Sequence, residues 1–353
     1  MEHSEYTIQT LHLIPQPAFC VHGGLITGTN SAAQQRQFSI GAAIDSLLVT
    51  GKDEYAAYCG GTLSLTLRAF DTTYRAYVVR IEDCDIFRLE PEEIPADLGA
   101  LSLAAQALRE PLSGLLTAAD RIHADSNPDL QQQLGQINRG LFQLQRLVSN
   151  MANAGQYSSA RAPRLETRNM RAVFDELFQK AASVAQHVNR ELRFAGLAQD
   201  VYSLADVELI EQAVYNLLSN ALKFCPEGGY ITAKLTQHGN KLQLTVQDSG
   251  AGIDPALCSS VFNRYQRQPG IEDGRYGIGL GMTIVCAAAH AHGGTVLMEQ
   301  PEGEGARFTM TLAIRQSNGT DVRSPILAVD TSGGYSRELI AFSDILPSSL
   351  YEK

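Results

Sequence analysis

The sequence lacks the marks of a membrane-spanning or secreted protein. No run of about 18 apolar residues occurs, so no segment is predicted to span a bilayer. Residues 1–5 are polar and acidic, and they have neither the basic start nor the apolar stretch of a signal peptide. These two absences predict a cytoplasmic location.

Paired cysteines and an excess of positive charge are also missing. None of the six cysteines belongs to a Cys-x-x-Cys pair, which argues against a zinc site or a disulfide framework. The net charge of −10 argues against nucleic acid or an anionic membrane as a partner. With 353 residues, the chain has room for two or three domains.

Residues 1–92 are predicted to form an α+β unit. Residues 17–21 have the pattern of a strand, Gly23 and Gly24 that of a turn, and Asn30 that of a helix cap. Residues 63–67 alternate in polarity as half-buried strands do. The opening stretch resembles the start of a PAS sensor domain. A small mixed domain without a ligand is the alternative.

Residues 97–155 are predicted to form a helical hairpin, because apolar residues recur there at heptad spacing. The first helix would carry Leu101, Ala105, Leu108, Leu112, Leu115, Ala119 and Ile122, and the second Leu130, Leu134, Ile137, Leu141, Leu144, Val148 and Met151. Two copies would bury both seams in a four-helix bundle, which predicts a homodimer through residues 98–152. The alternative is a hairpin docked on its own neighbouring domain.

Four short boxes follow in order in the second half of the chain. Residues 216–224 carry two asparagines on one helical face, and residues 248–253 form a glycine-rich loop after a strand. Residues 262–265 come next, and residues 277–281 place three glycines before a helix. Together the boxes resemble the ATP-binding domain of sensor histidine kinases, within the wider family of gyrase, Hsp90 and MutL-like ATPases.

The resemblance implies a two-layer α/β sandwich over residues 163–315 that binds Mg-ATP. Asn220 would hold Mg²⁺, Lys223 would contact phosphate, and Asp248 would hold adenine. Asn216 stands where hydrolytic relatives carry a glutamate base, so rapid ATP hydrolysis is not expected. The implied binding set is Asn216, Asn220, Lys223, Phe224, Asp248, Gly250, Gly252, Ile253, Phe262, Gly277, Gly279, Leu280 and Gly281.

Two regions near the boxes are less readable. Residues 263–276, with Arg264, Arg267 and Arg275, resemble the family's ATP lid, but the sequence does not select the arginine that meets phosphate. The tail, residues 316–353, is too apolar for a disordered segment, so we expect it to pack on some surface.

The histidine that such a kinase phosphorylates is missing. In the matching stretch, residues 106–112, Gln106 replaces the histidine, Ala107 replaces the acid beside it, and Glu110 replaces a polar threonine or asparagine. A glutamine amide is neither nucleophilic nor titratable near neutral pH. Autophosphorylation at this position is therefore not expected.

Three functions remain open on the sequence. The chain could regulate or phosphorylate a partner histidine kinase in a phosphorelay that includes a response regulator. It could be a non-catalytic ATP-binding pseudokinase whose shape a partner reads. It could also be an active kinase with another acceptor histidine, such as His123.

Overall fold

The fold is taken from a computed structural model of the chain. It describes residues 11–91, 96–124, 128–158, 163–253, 258, 261–262, 279–301, 304–316 and 336–352. Gly277, a predicted nucleotide contact, and the arginines at 264, 267 and 275 of the lid-like loop lie outside the described residues.

The N-terminal unit is a five-stranded antiparallel sheet with short helices beside it. Its strands are β1 (Ala18–His22), β2 (Leu25–Thr29), β3 (Thr62–Ala69), β4 (Thr72–Ile81) and β5 (Cys84–Pro91). The helices are α1 (Ser31–Gln35) and α2 (Lys52–Ala56), with a 3₁₀ turn at Ile44–Ser46. The strand order is β2-β1-β5-β4-β3.

Asn30 shows how one polar residue organises the start of this unit. Its Oδ1 accepts hydrogen bonds from the backbone N–H of Ala33 (2.9 Å), as the predicted cap of α1, and of Ala18 (3.0 Å). Its Nδ2 donates to the carbonyls of Ile14 and Gln16. One buried side chain therefore ties the preceding segment, β1 and α1 together.

Two long helices, α3 (Ala96–Ala124) and α4 (Pro128–Ser158), lie where the heptad pattern predicts helices. Of the seven predicted seam residues on each helix, three are buried and three are exposed. The buried members are Ala105, Leu112 and Ala119 on α3, and Leu134, Leu141 and Val148 on α4. The exposed members are Leu108, Leu115 and Ile122 on α3, and Leu130, Ile137 and Leu144 on α4.

The remaining elements build a layer of helices on a layer of strands. The strands are β6 (Glu166–Asn169), β7 (Glu191–Ala195), β8 (Tyr202–Ala205), β9 (Tyr230–His238), β10 (Lys241–Asp248), β11 (Val296–Glu299) and β12 (Arg307–Ala313). The helices are α5 (Met170–Gln186), α6 (Val207–Phe224) and α7 (Gly281–Ala291), followed by α8 (Arg337–Ala341) and a 3₁₀ turn at Ser348–Tyr351.

The two sheets are joined into one. Strand β11 pairs antiparallel with β3 through Val296–Ser64, Leu297–Leu63 and Met298–Thr62, so ten strands run in the order β2-β1-β5-β4-β3-β11-β12-β10-β9-β7. The sequence predicted separate units and gave no sign of this pairing. It removes two exposed sheet edges, each of which would otherwise present unpaired N–H and C=O groups.

Side chains reinforce the joint on both faces of the sheet. Lys241 Nζ lies 2.8 Å from the carboxylate of Glu54 and 2.9 Å from that of Asp53. Arg75 Nε donates to Nδ1 of His290 (3.2 Å), whose Nε2 lies 3.3 Å from Ser64 Oγ. Burial and the adjacent Arg75 guanidinium lower the pKa of His290 to about 3, so its ring is neutral at physiological pH.

Within the described part of the chain, no helix combines the length and the apolar character that crossing a membrane requires.

Gly61 tests the joint between the two sheets. Its φ is +86°, and a Cβ there would lie 2.1 Å from the carbonyl oxygen of Met298 on β11. Because that contact is impossible, we expect Gly61→Ala to separate β3 from β11 and to speed hydrogen exchange of the β11 amides. The free energy of unfolding should fall by about 1–3 kcal/mol beyond the backbone strain itself.

Gly24→Ala is the matched control, since Gly24 has φ +77° and open space around its Cβ position. Its free energy of unfolding should fall only by the roughly 1 kcal/mol that an alanine in the left-handed backbone conformation costs. Hydrogen exchange of the β11 amides should not change. If both substitutions changed stability and β11 hydrogen exchange equally, the proposed role of Gly61 at the joint between β3 and β11 would be contradicted.

Candidate functional site

The site is built around helix α6, whose start is fixed by a cap. Asp206 Oδ1 accepts a hydrogen bond from the N–H of Leu209 (3.2 Å). Asn216 and Asn220, one turn apart, both face the start of α7. Asn220 Nδ2 donates to Sδ of Met282 (3.4 Å), and a Cβ on Gly281 would lie 2.9 Å from Asn216 Oδ1. The helix therefore presents both amides where the glycine box begins α7.

The glycine-rich box, residues 277–281, leads into the first turn of α7 beside these two asparagines. Gly279 has φ +73°, Leu280 is buried, and Gly281 is the first residue of the 11-residue helix α7. Unpaired N–H groups and the helix dipole make such a terminus favourable for phosphate. The start of α7 lies beside the two asparagines of α6, so these two boxes are neighbours in the fold.

Asp248 ends strand β10 and is buried. Its Oδ1 accepts a hydrogen bond from the N–H of Gly250 (2.8 Å). Burial raises the pKa of Asp248, although the Gly250 N–H opposes that shift. Gly250 packs so closely on the carbonyl of Phe224 that a Cβ would lie 2.5 Å from the oxygen. The Asp248 loop is thereby fixed against the end of α6.

Gln300 adds a contact to this loop that sequence reasoning missed. Its Oε1 accepts a hydrogen bond from the N–H of Ile253 (3.2 Å), and its side chain lies against Gly252, whose φ is +77°. No motif marks Gln300. It follows strand β11, and only the fold brings it to the loop.

Phe262 and Phe224 have different environments. Phe262 is fully buried and stacks on Tyr77 of the N-terminal unit, with ring centroids 6.0 Å apart. Phe224, at the end of α6, is 42% exposed. The N-terminal unit therefore touches one of the boxes directly, which the sequence did not predict.

Lys223 is engaged by the C-terminus of the chain. Its Nζ lies 2.7 Å from Oδ2 of Asp344, and Arg146 of α4 forms an ion pair with the same carboxylate. Burial and the Arg146 guanidinium lower the pKa of Lys223 to about 8. In this conformation the Lys223 ammonium group, which the sequence predicts to contact phosphate, is therefore paired with an internal carboxylate.

Comparison with known proteins agrees with this geometry. Residues 205–316 match the family of histidine kinase-, DNA gyrase B- and HSP90-like ATPases. The adaptive-response sensory kinase SasA of Crocosphaera subtropica is 27% identical over 278 residues, which are 71% of this chain and 69% of that protein. The histidine protein kinase DivJ of Caulobacter vibrioides is 36% identical over 110 residues, 31% of this chain and 18% of DivJ. Residues 205–316 therefore form a histidine kinase-like ATPase domain, and the relatives that match a larger share of the chain are sensory kinases.

A solved structure shows the same fold. Full-length ShkA, in complex with AMPPNP, superposes with a TM-score of 0.52 at 21% identity over 62% of this chain and 46% of ShkA. The chain spans about two thirds of the length of SasA and much less of DivJ and ShkA. The likeness therefore covers the architecture of the kinase and not the whole of any relative.

Gln106, the predicted counterpart of the family's acceptor histidine, lies on α3. Gln106 and Ala107 are both exposed there, and Arg109 is half-buried. Glu110 is part of the helix, but its side chain lies outside the described residues, as does that of His123. The Gln106 side chain is thus at the helix surface, and its amide is not a nucleophile.

Gly305 tests the packing of the Asp248 loop. A Cβ on Gly305 would lie 2.2 Å from Oδ1 of Asp248. We expect Gly305→Ala to displace this carboxylate, lower the free energy of unfolding by about 1–3 kcal/mol, and speed exchange of the Gly250 amide. Urea unfolding and hydrogen exchange measure the two effects.

Gly114→Ala serves as the control, because Gly114 lies in helix α3 with open space around it. It should raise stability by about 0.5–1 kcal/mol, as alanine does inside a helix. An intact Gly250 hydrogen bond in Gly305→Ala would contradict the proposed packing.

Proposed function

We propose that the protein binds Mg-ATP between α6, the Asp248 loop and the start of α7, and acts in two-component phosphorelay signalling. The observation that carries the proposal is that the α6 box meets two other boxes distant in sequence. Asn216 lies beside Gly281 at the start of α7, and Phe224 lies against Gly250 of the Asp248 loop. A buried carboxylate at Asp248 can accept a hydrogen bond from the exocyclic amine of adenine. The helix terminus at Gly281 suits the phosphates.

The residues present fit a magnesium ion. Mg²⁺ prefers oxygen ligands, keeps several waters and shares its shell with nucleotide phosphates. Among the described residues, Asn220 hydrogen-bonds through Nδ2, to Sδ of Met282, and this contact does not use Oδ1. That oxygen would hold the ion, and the ion would neutralise charge on the phosphates. The side chain of Asn216 is an amide, so it cannot act as a general base that activates water for ATP hydrolysis.

Gln106 determines how the bound nucleotide is used. Without a nucleophile at that position, the protein would not phosphorylate itself there. We propose that it serves as an ATP-binding regulatory member of the family, acting on a partner histidine kinase or through a response regulator. A second candidate, a kinase with another acceptor such as His123, is distinguished by the labelling experiment below.

The N-terminal unit is proposed as the input domain. Its antiparallel sheet with short flanking helices supports the PAS-like interpretation. The direct contacts with α7 and Phe262 give it a route to the nucleotide site that does not pass through α3 and α4.

The exposed half of each heptad seam supports the homodimer. Leu108, Leu115 and Ile122 recur every seven residues on α3 and are 47–56% exposed. Ile137 and Leu144 continue an equivalent row on α4. Rows of apolar residues at this spacing are buried when two helical pairs associate. A second copy of the chain would cover both rows.

The proposed nucleotide function is tested with γ-labelled ATP and Mg²⁺ on the full chain. We expect ATP to bind and no acid-labile, alkali-stable label to appear. Asn220→Ala should weaken binding roughly tenfold, the equivalent of about 1.4 kcal/mol, and should remove most of its Mg²⁺ dependence. Equilibrium binding with and without Mg²⁺ measures both effects.

Asn240→Ala, in an exposed turn, is the matched control and should bind as the unmodified protein does. ATP binding that survives both Asn220→Ala and Asp248→Ala would refute the site. Label that appears and is lost in His123→Gln would establish the displaced-acceptor kinase instead.

Ile137 tests the dimer. We expect Ile137→Glu to raise the dimer dissociation constant by roughly three orders of magnitude, because two buried isoleucines contribute about 4 kcal/mol. The neighbouring exposed Gln136→Glu adds the same charge away from the row and should leave the dimer intact. Sedimentation measures both variants, and an unmodified chain that is monomeric at micromolar concentration would contradict the proposal.

A further inference from the structure

The C-terminal segment, residues 336–352, is inserted between two helices that belong to different units. On one side lies α4, and on the other lies α6 of the nucleotide site. Ile340, Phe342, Leu346 and Tyr351 are buried. Phe342 packs on Tyr215 of α6, with ring centroids 5.4 Å apart, and Tyr351 packs in the same way on Phe142 of α4, at 5.0 Å.

Polar contacts fix the C-terminal segment to α4. Arg139 donates from Nε to the carbonyl of Ser343 (3.2 Å) and from Nη2 to that of Asp344 (3.0 Å). Asn138 Nδ2 donates to the carbonyl of Tyr351 (3.1 Å). These bonds hold the backbone on both sides of the turn that carries Asp344.

The side chain of Asp344 then reaches a cation of the nucleotide site. Its carboxylate contacts Lys223 of α6 and Arg146 of α4, and each of the three side chains is about a tenth exposed. Arg146 also donates to Ser219 Oγ on α6 (2.9 Å). Two cations share one carboxylate, so the cluster carries net positive charge in a buried place and is suited to a further anion.

We propose that the C-terminal segment is a nucleotide-sensitive latch, in which Asp344 occupies Lys223 in place of a nucleotide phosphate and Mg-ATP binding displaces the segment from between α4 and α6. The proposal rests on the nucleotide role proposed above for Lys223. The ammonium group is too enclosed by Asp344 to contact a phosphate at the same time. Release of the segment would free α6 to move relative to α4, and so would couple nucleotide binding to the arrangement of α3 and α4.

Calorimetry on the full chain with Mg-AMPPNP and with adenosine tests the latch. We expect Asp344→Asn to bind Mg-AMPPNP about tenfold more tightly than the unmodified protein, as for a latch closed roughly nine-tenths of the time. Adenosine, which has no phosphates, should bind both proteins equally. Glu338→Gln is the control, because Glu338 lies in the same segment but contacts Tyr215 and Lys180. Its affinity should stay within about twofold.

A second measurement does not depend on any substitution. In the unmodified protein, saturating Mg-AMPPNP should raise hydrogen exchange of residues 339–351 severalfold, whereas adenosine should not. If circular dichroism shows that Asp344→Asn is unfolded, this measurement alone tests the latch.

The outcomes separate the latch from the site itself. The latch is overturned if a folded Asp344→Asn variant binds Mg-AMPPNP with unchanged affinity. It is also overturned if Mg-AMPPNP binds the unmodified protein without faster hydrogen exchange in residues 339–351. Either result leaves the proposed nucleotide site intact. Failure of both Mg-AMPPNP and adenosine to bind the unmodified protein overturns the nucleotide site and the latch together.

Discussion

The antiparallel pairing of β3 with β11 is the constraint on which the arrangement of the molecule depends. Three residue pairs convert two sheets into one of ten strands. Backbone hydrogen bonding at a sheet edge is strongly directional, so this short joint fixes the N-terminal unit on the nucleotide-binding domain. The contacts of Lys241 with Glu54, of Arg75 with His290, and of Tyr77 with Phe262 follow from that placement.

The consequence for signalling is a short physical path. In this chain the proposed input unit touches α7 and the box residue Phe262 directly. A change in the shape of the N-terminal sheet would therefore act on α7 through His290, near the end of that helix, and on Phe262. This path suits the proposed regulatory role, in which the output would be a change of conformation and not a phosphate on α3.

Buried charge concentrates where the three regions of the chain meet. Arg146 comes from α4, Lys223 from α6 and Asp344 from the C-terminal segment. Removing ions from water is unfavourable unless each finds a partner, so such a cluster is stable only while all three elements are in place. Loss of Asp344 alone would leave two buried cations without this partner.

The sequence by itself determined the local elements and named candidates for the site. Heptad spacing predicted α3 and α4, and Asn30 was predicted as the cap of α1. The boxes predicted candidate residues such as Asn216, Asp248 and Gly281, of which Asn216 and Gly281 lie side by side. Their periodicity and turn chemistry act over a few residues, so they can be read along the chain. The assigned roles of the individual site residues, and the domain boundaries, stay predictions.

Only the tertiary structure decided what meets across long separations. No sequence motif connects the residues of three such pairs, which are Met298 with Thr62, Tyr77 with Phe262, and Lys223 with Asp344. The tail's apolar residues predicted that it packs somewhere, but not on which surface. The heptads predicted two seams, but not which half of each would be buried within one chain. Edge pairing, ring stacking and ion pairing depend on the relative placement of whole units, and that placement is a property of the folded molecule as a whole.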